Sequence, residues 1–420
     1  MTREMKNSGI EWIGQIPSDW ETDRLQWHLE EIKVQNSPVQ SEQVLSLTIE
    51  AGVIPYEDKG NQGNKAKENY EEYKLAYPDT LVVNSMNIII GAVGISKYFG
   101  CVSPVYYVFK ATEDTDLRYI YYIFTNVGFQ KELRKYAKGI LEIRLRISAS
   151  DMLKRIIPKP SYEEQKRIAD FLDRKCAEID TVIAKTQATI EEYKKLKQSV
   201  ITEAVTKGIR GERPMKDSGI EWIGEIPADW DINSAFQLFV QVKNKNAGLV
   251  EKNLLSLSYG KIKRKSIDTI GGLLPESFDG YNIIEKDDIV LRLTDLQNDH
   301  TSLRVGLSTE KGIVTSAYTT LRNRSANLPI YLYYYLHSFD IAKGFYGMGA
   351  GVRQGLNWDG LKKLKIVIPT VKEQQEIVDY LEIKCAEIDK LIANKTQLLS
   401  ELENYKKSVI YEYVTGKKDV

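Results

Sequence analysis

Two stretches of the chain carry apolar residues at alternating steps of four and three. Leu172, Cys176, Ile179, Ile183, Thr186, Ile190 and Tyr193 form the first series, and Leu381, Cys385, Ile388, Ile392, Lys395, Leu399 and Leu402 the second. A period of 3.5 marks the seam of a coiled coil. Each series follows a proline stop, Pro158 and Pro160 in one and Pro369 in the other, and closes at a glycine, Gly208 or Gly416. About 45 helical residues at 1.5 Å rise predict a rod on the order of 65–70 Å. Such a rod cannot bury its stripe alone. A second chain could cover it, but two matched stripes in one polypeptide favour an intrachain pair. Elsewhere the pattern shortens to strand-like runs, Leu81 to Val83, Asn87 to Ile95, Val102 to Phe109, Ile289 to Leu293 and Ile313 to Leu321, punctuated by Gly, Pro and Asn. One helix per domain is predicted, near Leu117 to Asn126 and near Ile330 to Ser338. The fold class is therefore mixed α/β joined to long helices.

The chain also repeats itself. Asn7 to Trp20 recurs as Asp217 to Trp230 with 11 of 14 positions identical, and Pro160 to Thr206 recurs as Pro369 to Thr415 with 22 of 47 identical. Between these anchors the halves share only islands, such as Leu45 to Thr48 with Leu255 to Ser258. The molecule reads as a tandem duplication: a variable domain over 1–157, a constant helix over 158–208, a linker over 209–216, a second variable domain over 217–367 and a second constant helix over 368–416. Domain termini tend to lie close together. If the second domain begins where the first helix ends and sends out the second helix, that helix must run back. The expectation is an antiparallel intrachain coil with the variable domains at opposite ends, related by a pseudo-two-fold axis.

Composition narrows the function. The 420 residues hold 58 Lys+Arg against 58 Asp+Glu, which excludes a polybasic chain that grips nucleic acid by bulk charge and leaves room only for local sites. No stretch approaches the 18 or so apolar residues that span a bilayer, and no apolar leader opens the chain, so a cytoplasmic location is expected. Cys101, Cys176 and Cys385, like His28, His300 and His337, are too scattered for a metal site and read as packing residues.

Enzyme motifs are missing. There is no G-x-x-x-x-G-K-[ST] loop and no Pro-Pro pair of the kind that amino-methyltransferases place around a target base. Phe345 to Val352 imitates a glycine-rich cofactor loop, but it follows a Tyr-rich helix rather than a strand and reads as a loop near the end of the domain. Asp287 and Asp288 read as a turn. Trp12, Trp20, Trp222 and Trp230 read as packing anchors. Two local basic clusters do stand out. Lys131, Arg134, Lys135, Lys138, Arg144 and Arg146 lie in the first half; Lys243, Lys245, Lys261, Lys263, Arg264 and Lys265 lie in the second. Lys and Arg among Asn, Ser, Gln and Gly suit phosphate contacts with base-edge readout. A charge run is usually a solvated face, yet one in each half of a duplicated molecule fits a protein reading two half-sites.

These features resemble one family. The Gly-Ile-Glu-Trp-Ile-Gly-x-Ile-Pro-x-x-Trp opening of each half, the Pro-x-x-x-Glu-Gln entry to each helix (Pro160 to Leu172 and Pro369 to Leu381) and the Ala-Glu-Ile-Asp core are similar to the specificity subunits of type I restriction–modification enzymes. The resemblance covers essentially the whole chain. It implies two target-recognition domains that each read half of a bipartite DNA site, and helices that fix the gap. It further implies that the helices dock two modification (methyltransferase) subunits, through seam residues such as Leu172, Ile179, Ile183, Ile190, Leu381, Ile388, Ile392 and Leu399, with motor-nuclease restriction subunits completing the complex. The chain itself would not be catalytic; S-adenosylmethionine, ATP and Mg²⁺ would be used through the other subunits. Arg144 and its repeat mate Arg353 fall in a region this family holds close to DNA, and are carried over as DNA-contacting residues. The rival expectation is a self-contained enzyme with cryptic methyltransferase or nuclease activity.

Overall fold

The computed structural model describes residues 3–60, 69–139, 145–266, 277–296, 303–349 and 355–420. The chain divides into two compact units, Met1–Gln187 with Gln397–Val420, and Ala188–Thr396. Each unit contains one variable domain, the entry half of the long helix that follows it, and the exit half of the other long helix.

The long helices run from Tyr162 to Lys207 and from Val371 to Val414. Their starts are fixed by hydroxyls: Ser161 Oγ accepts the Glu164 amide and Thr370 Oγ1 accepts the Glu373 amide, both at 3.3 Å, so the orphan amides of the first turn are partly satisfied. Left-handed Gly208 and Gly416 stop them. Within each unit the two helical segments are antiparallel. In the first, Phe171 meets Tyr413 with ring centroids 4.3 Å apart, and Lys406 Nζ reaches Asp180 at 2.6 Å. In the second, the repeat-equivalent Lys197 reaches Asp389 at 2.7 Å. The predicted seam lies at these contacts: Leu172, Cys176, Ile179 and Ile190 are buried, as are Leu381, Cys385 and Ile388. Ile183, Ile392 and Leu399 are half-buried. Each such apolar side chain taken from water contributes roughly 1.5–3 kcal/mol when fully covered.

Both variable domains have one architecture. The first is built on an antiparallel sheet ordered Leu29–Glu31, Tyr106–Ala111, Thr80–Asn84, Val93–Ser96. The second repeats it as Phe239–Gln241, Thr319–Asn323, Ile289–Leu291, Val305–Leu307. A side ladder also recurs. Lys74–Ala76 pairs with Gly100–Val102, next to the hairpin Leu45–Thr48/Gly52–Pro55; in the second domain Asn282–Ile284 pairs with Gly312–Val314, next to Leu255–Ser258/Lys261–Arg264. Bridges Val44 to Cys101 and Leu254 to Ile313 join hairpin to ladder in both.

Glycines allow the hairpin to dock. A Cβ on Gly100 would lie 2.6 Å from the Gln43 carbonyl, and one on Gly312 would lie 2.5 Å from the Asn253 carbonyl. Gly94 and Gly306 likewise sit against Gly52 and Leu257 of the hairpins. The strand after each buried Trp closes the domain: Glu21–Arg24 pairs with Ile156–Lys159, and Asp231–Ser234 with Lys365–Ile368, immediately before the long helix.

Several runs differ from the sequence expectation. Asn87 to Ile95 is not one strand; Ile88–Ile90 is a 3-10 turn ended by left-handed Gly91, and the strand starts at Val93. Val102 to Phe109 is broken at Ser103 and Pro104 into two strands of different ladders, and Ile313 to Leu321 breaks in the same way. The helix at Leu117 is followed by a second, Val127–Arg134, because Asn126 caps it by accepting the Gly128 amide at 2.8 Å. The first constant helix is preceded by the strand Ile156–Lys159, so helix begins only at Tyr162. Asp287 does turn the chain, with φ 68°, but Asp288 is buried and bound by Arg322 at 2.7 and 2.8 Å.

Candidate nucleic-acid interface

The repeated motifs assemble into a node that fastens each variable domain to its helix. Trp20 Nε1 donates to Glu164 at 2.9 Å, and Arg3 pairs with the same carboxylate at 2.6 Å while lying over the Trp20 ring. In the second unit Trp230 Nε1 donates to Glu373 at 3.1 Å, with Arg213 at 2.6 Å and over the Trp230 ring. The adjacent glutamines work in parallel: Gln165 accepts the Asp116 amide and donates to the Pro160 carbonyl, and Gln374 accepts the Leu328 amide and donates to the Pro369 carbonyl. Tyr119 and Tyr331 each donate towards two carbonyls, one on the strand before the entry helix and one on the exit helix. Trp20 and Trp230 are thus buried anchors. Trp12 packs on Phe129, and Trp222 on Tyr335 and Phe339.

The basic clusters are distributed differently from their order in sequence. In the second domain, the side ladder runs from the Lys245 bridge through Asn282–Ile284, Gly312–Val314 and Leu255–Ser258 to Lys261–Arg264. Four strand spacings, roughly 19 Å, separate Lys245 from the Lys261 strand. Lys243 and Lys245 are exposed at one edge, Lys245 donating to the Gly280 carbonyl at 2.9 Å. Lys261, Lys263, Arg264 and Lys265 are exposed at the other edge. Ser256 lies opposite Lys263 and Ser258 opposite Lys261, so both lysines and both hydroxyls share one face of the hairpin, while Leu257 and Ile262 occupy the other. Arg264 turns to Glu310, whose carboxyl it holds below the usual range by hydrogen bonding.

The tip of this hairpin is Tyr259 and Gly260, at φ 48° and 74°. Both residues are left-handed, as a two-residue hairpin turn requires. A side chain beyond Asn or Asp pays about 1–2 kcal/mol there, yet the position holds a tyrosine that is 77% exposed.

In the first domain, Lys131 and Arg134 project from the helix Val127–Arg134, while Lys135 is engaged by Glu132 at 2.9 Å and by Glu11, whose carboxyl it pulls down. Lys138 and Arg146 exchange backbone hydrogen bonds of 2.8 and 2.9 Å and both are exposed. Next to Arg146, the Ile147 amide donates to the Ser85 carbonyl just past the strand Thr80–Asn84. Arg144 and Arg353 lie outside the described residues. The Phe345 to Val352 stretch has Phe345 buried against Phe339 and a 3-10 turn at Tyr346–Met348; its remainder from 350 onward also lies outside them.

Sequence reading missed a groove of about 780 Å³ in the first domain, between the hairpin and the sheet. Ser46, Thr48, Asn84, Asn87 and Ser103 line it, with the charged Glu50, Asp58 and Lys59 beside them. Amides and hydroxyls of this kind hydrogen-bond to base edges as readily as to solvent. Also missed were Asn36 and Asn246, fully buried, whose side chains hold the loops ahead of each hairpin through the Ser41 and Glu251 backbones. A shared Asn at the same place in both halves was the available signal. Among the described residues, no three His, Cys, Asp or Glu side chains gather as a metal site.

The family model for the type I restriction modification DNA specificity domain matches residues 17–192 and again 242–404. The chain belongs to that family. This specificity-domain chain is 23% identical to a putative type I restriction enzyme MjaX specificity subunit of Methanocaldococcus jannaschii, over 96% of its own length and 95% of the relative's. It is 24% identical to the MjaVIII specificity subunit of the same organism, over 96% and 93%. Among solved structures it is similar to a chain described in work on complex assembly and conformational transition of the type I R-M system, with TM-score 0.69, 14% identity and coverage of 96% and 99%. The HsdS subunit from Thermoanaerobacter tengcongensis aligns at TM-score 0.50 and 14% identity over 96% and 98%. The fold of a type I specificity subunit, with its specificity domain present twice, is therefore that of this chain.

Proposed function

We propose that each variable domain reads one half of a bipartite DNA site, that the paired helices set the gap between the halves, and that the helices dock two modification subunits. The observation that carries this is the combination of one framework with two unlike surfaces. The node at Trp20 and Trp230, the sheets and the hairpins coincide, whereas the residues facing solvent do not, as two different half-sites require. The basic residues named above, apart from the acid-bound Lys135 and Arg264, are assigned to phosphate contact and the groove side chains to base edges.

Docking is supported by paired exposed apolar residues beside the seam. Val182 and Tyr405 are 44% and 50% exposed in the first unit; their repeat mates Leu391 and Leu196 are 43% and 48% exposed in the second. Each unit thus offers its own copy of one apolar pair, which fits two identical partners. S-adenosylmethionine comes with those partners, and ATP and Mg²⁺ with the restriction subunits that join them.

The test is a domain exchange. Replacing residues 231–360 by the corresponding segment of another member and mapping methylated adenines should alter one half of the target only; alteration of both halves, or of neither, overturns the reading.

A further inference from the structure

The two domains carry the same hairpin on the same part of the fold, and only one of them is built to hold an anionic ligand. In the first, the turn is Ile49-Glu50-Ala51 and the returning strand is Gly52-Val53-Ile54-Pro55, without a cation. In the second, the returning strand is Lys261-Ile262-Lys263-Arg264. Glu310 neutralises Arg264, whereas Lys261 and Lys263 have no acidic partner among the described residues and share their face with two serine hydroxyls. At the tip, the left-handed backbone that Asn or Gly would occupy freely holds an exposed Tyr259. A residue that fits its backbone poorly and packs against little points to a contact outside the chain.

We infer that the Leu255–Arg264 hairpin is a phosphate clamp flanking the second half-site, with Lys261 and Lys263 on backbone phosphates and the Tyr259 ring against the adjoining sugar or base. The first hairpin is not such a clamp; the cations of its domain stand elsewhere, at Lys131, Arg134, Lys138 and Arg146 and, within the groove, at Lys59. This rests on the reading that each domain binds duplex DNA. Its consequence is that the hairpin of the second domain adds to the salt sensitivity of binding and the hairpin of the first does not, because each phosphate neutralised releases counterions.

The experiment uses the full chain assembled with its modification subunits and a short fluorescent duplex carrying the site found by methylation mapping. Affinity is measured across a salt series for the parent, for Lys261→Gln/Lys263→Gln and for Tyr259→Asn. The slope of log affinity against log salt should flatten by about one per lysine removed. Tyr259→Asn should weaken binding without changing the slope, although Asn suits the turn better and thermal unfolding should be no earlier than in the parent. An unchanged slope in the lysine variant overturns the clamp, and unchanged affinity in Tyr259→Asn takes the tyrosine out of it. A parent assembly that fails to bind the duplex would instead overturn the functional reading on which the clamp depends.

Discussion

The hairpins Leu45–Pro55 and Leu255–Arg264 hold the same place in their domains, and almost nothing on their outer faces is shared. Where they meet the fold they agree: Leu45 and Leu255 are buried, glycines stand behind them, and a bridge ties each to the neighbouring ladder. Where they meet solvent one offers Ile49 and Glu50 and the other Tyr259 and two lysines. The difference teaches that what is duplicated is a mounting, and what has diverged is what the mounting displays.

The node has the same partners in both halves and differs in how deeply they are buried. Glu373 is fully buried between Trp230 and Arg213, while Glu164 retains some exposure and its partner Arg3 is a quarter exposed. Removing one partner of a buried ion pair costs about 3–5 kcal/mol, and less where a partner such as Arg3 is better solvated. Glu373→Ala should therefore lower protection of the second unit in native-state hydrogen exchange by that much, and Glu164→Ala should lower protection of the first by less. Equal losses would mean the nodes are energetically alike despite their burial.

Burial lowers a histidine pKa in both halves: His28 in the first, where Asp23 opposes the shift, and His337 in the second. His337 stacks on Tyr333 at 5.7 Å with Nδ1 buried and lacking a hydrogen-bond partner, and its pKa is pushed down to about 4 by burial and then by Lys197. The folded form therefore resists the proton that the unfolded chain accepts near 6.5. Stability from this group is complete above pH 6.5 and declines as pH falls towards 4, by about 3 kcal/mol in total. His337→Phe should flatten that part of the acid unfolding curve; a curve unchanged by the substitution would clear His337 of the effect.

The shared mounting should break equally in both halves. Gly100→Ala and Gly312→Ala each force a Cβ onto a carbonyl, and overpacking of this kind costs about 1–3 kcal/mol. Thermal scans of the two variants should shift to similar extents. The smallest effect is on stability in Glu50→Lys, within about 0.5 kcal/mol for an exposed site, while the salt slope of DNA binding should steepen by about one if the first hairpin can be turned into a clamp. An unaltered slope would show that the first hairpin faces away from phosphates.

Much of this was legible in the chain. The 3.5 period and the identical blocks announce the helices, because a seam and a shared node both constrain residue types at fixed spacing. Asn87 to Ile95 departs from a strand because a continuous apolar run carries no alternation to separate strand from turn, and Ile90, in the 3-10 turn, is 55% exposed. The site was harder. Lys243 and Lys265 look like one cluster in sequence and lie at opposite edges of a ladder, because strand order is set by pairings with Asn282 and Val314 that no local pattern records. Lys135 and Arg264 look like free cations and are engaged by Glu11 and Glu310, which are distant in the chain.

The end of the second helix has a further consequence. Gly416 lies against Pro17 and Trp20, Lys417 donates to the Ile13 carbonyl at 3.0 Å, and Arg3 comes within 3.9 Å of Asp419. In the second unit, Gly208 lies against Trp230 in the same way, and there the chain runs on without a break through Arg213. The first and last described residues therefore stand where the other unit has a linker. Joining them by a few residues and opening the chain between Gly211 and Glu212 should give a circular permutant that encodes the two variable domains in the reverse order and leaves the Arg213–Glu373 pair in place.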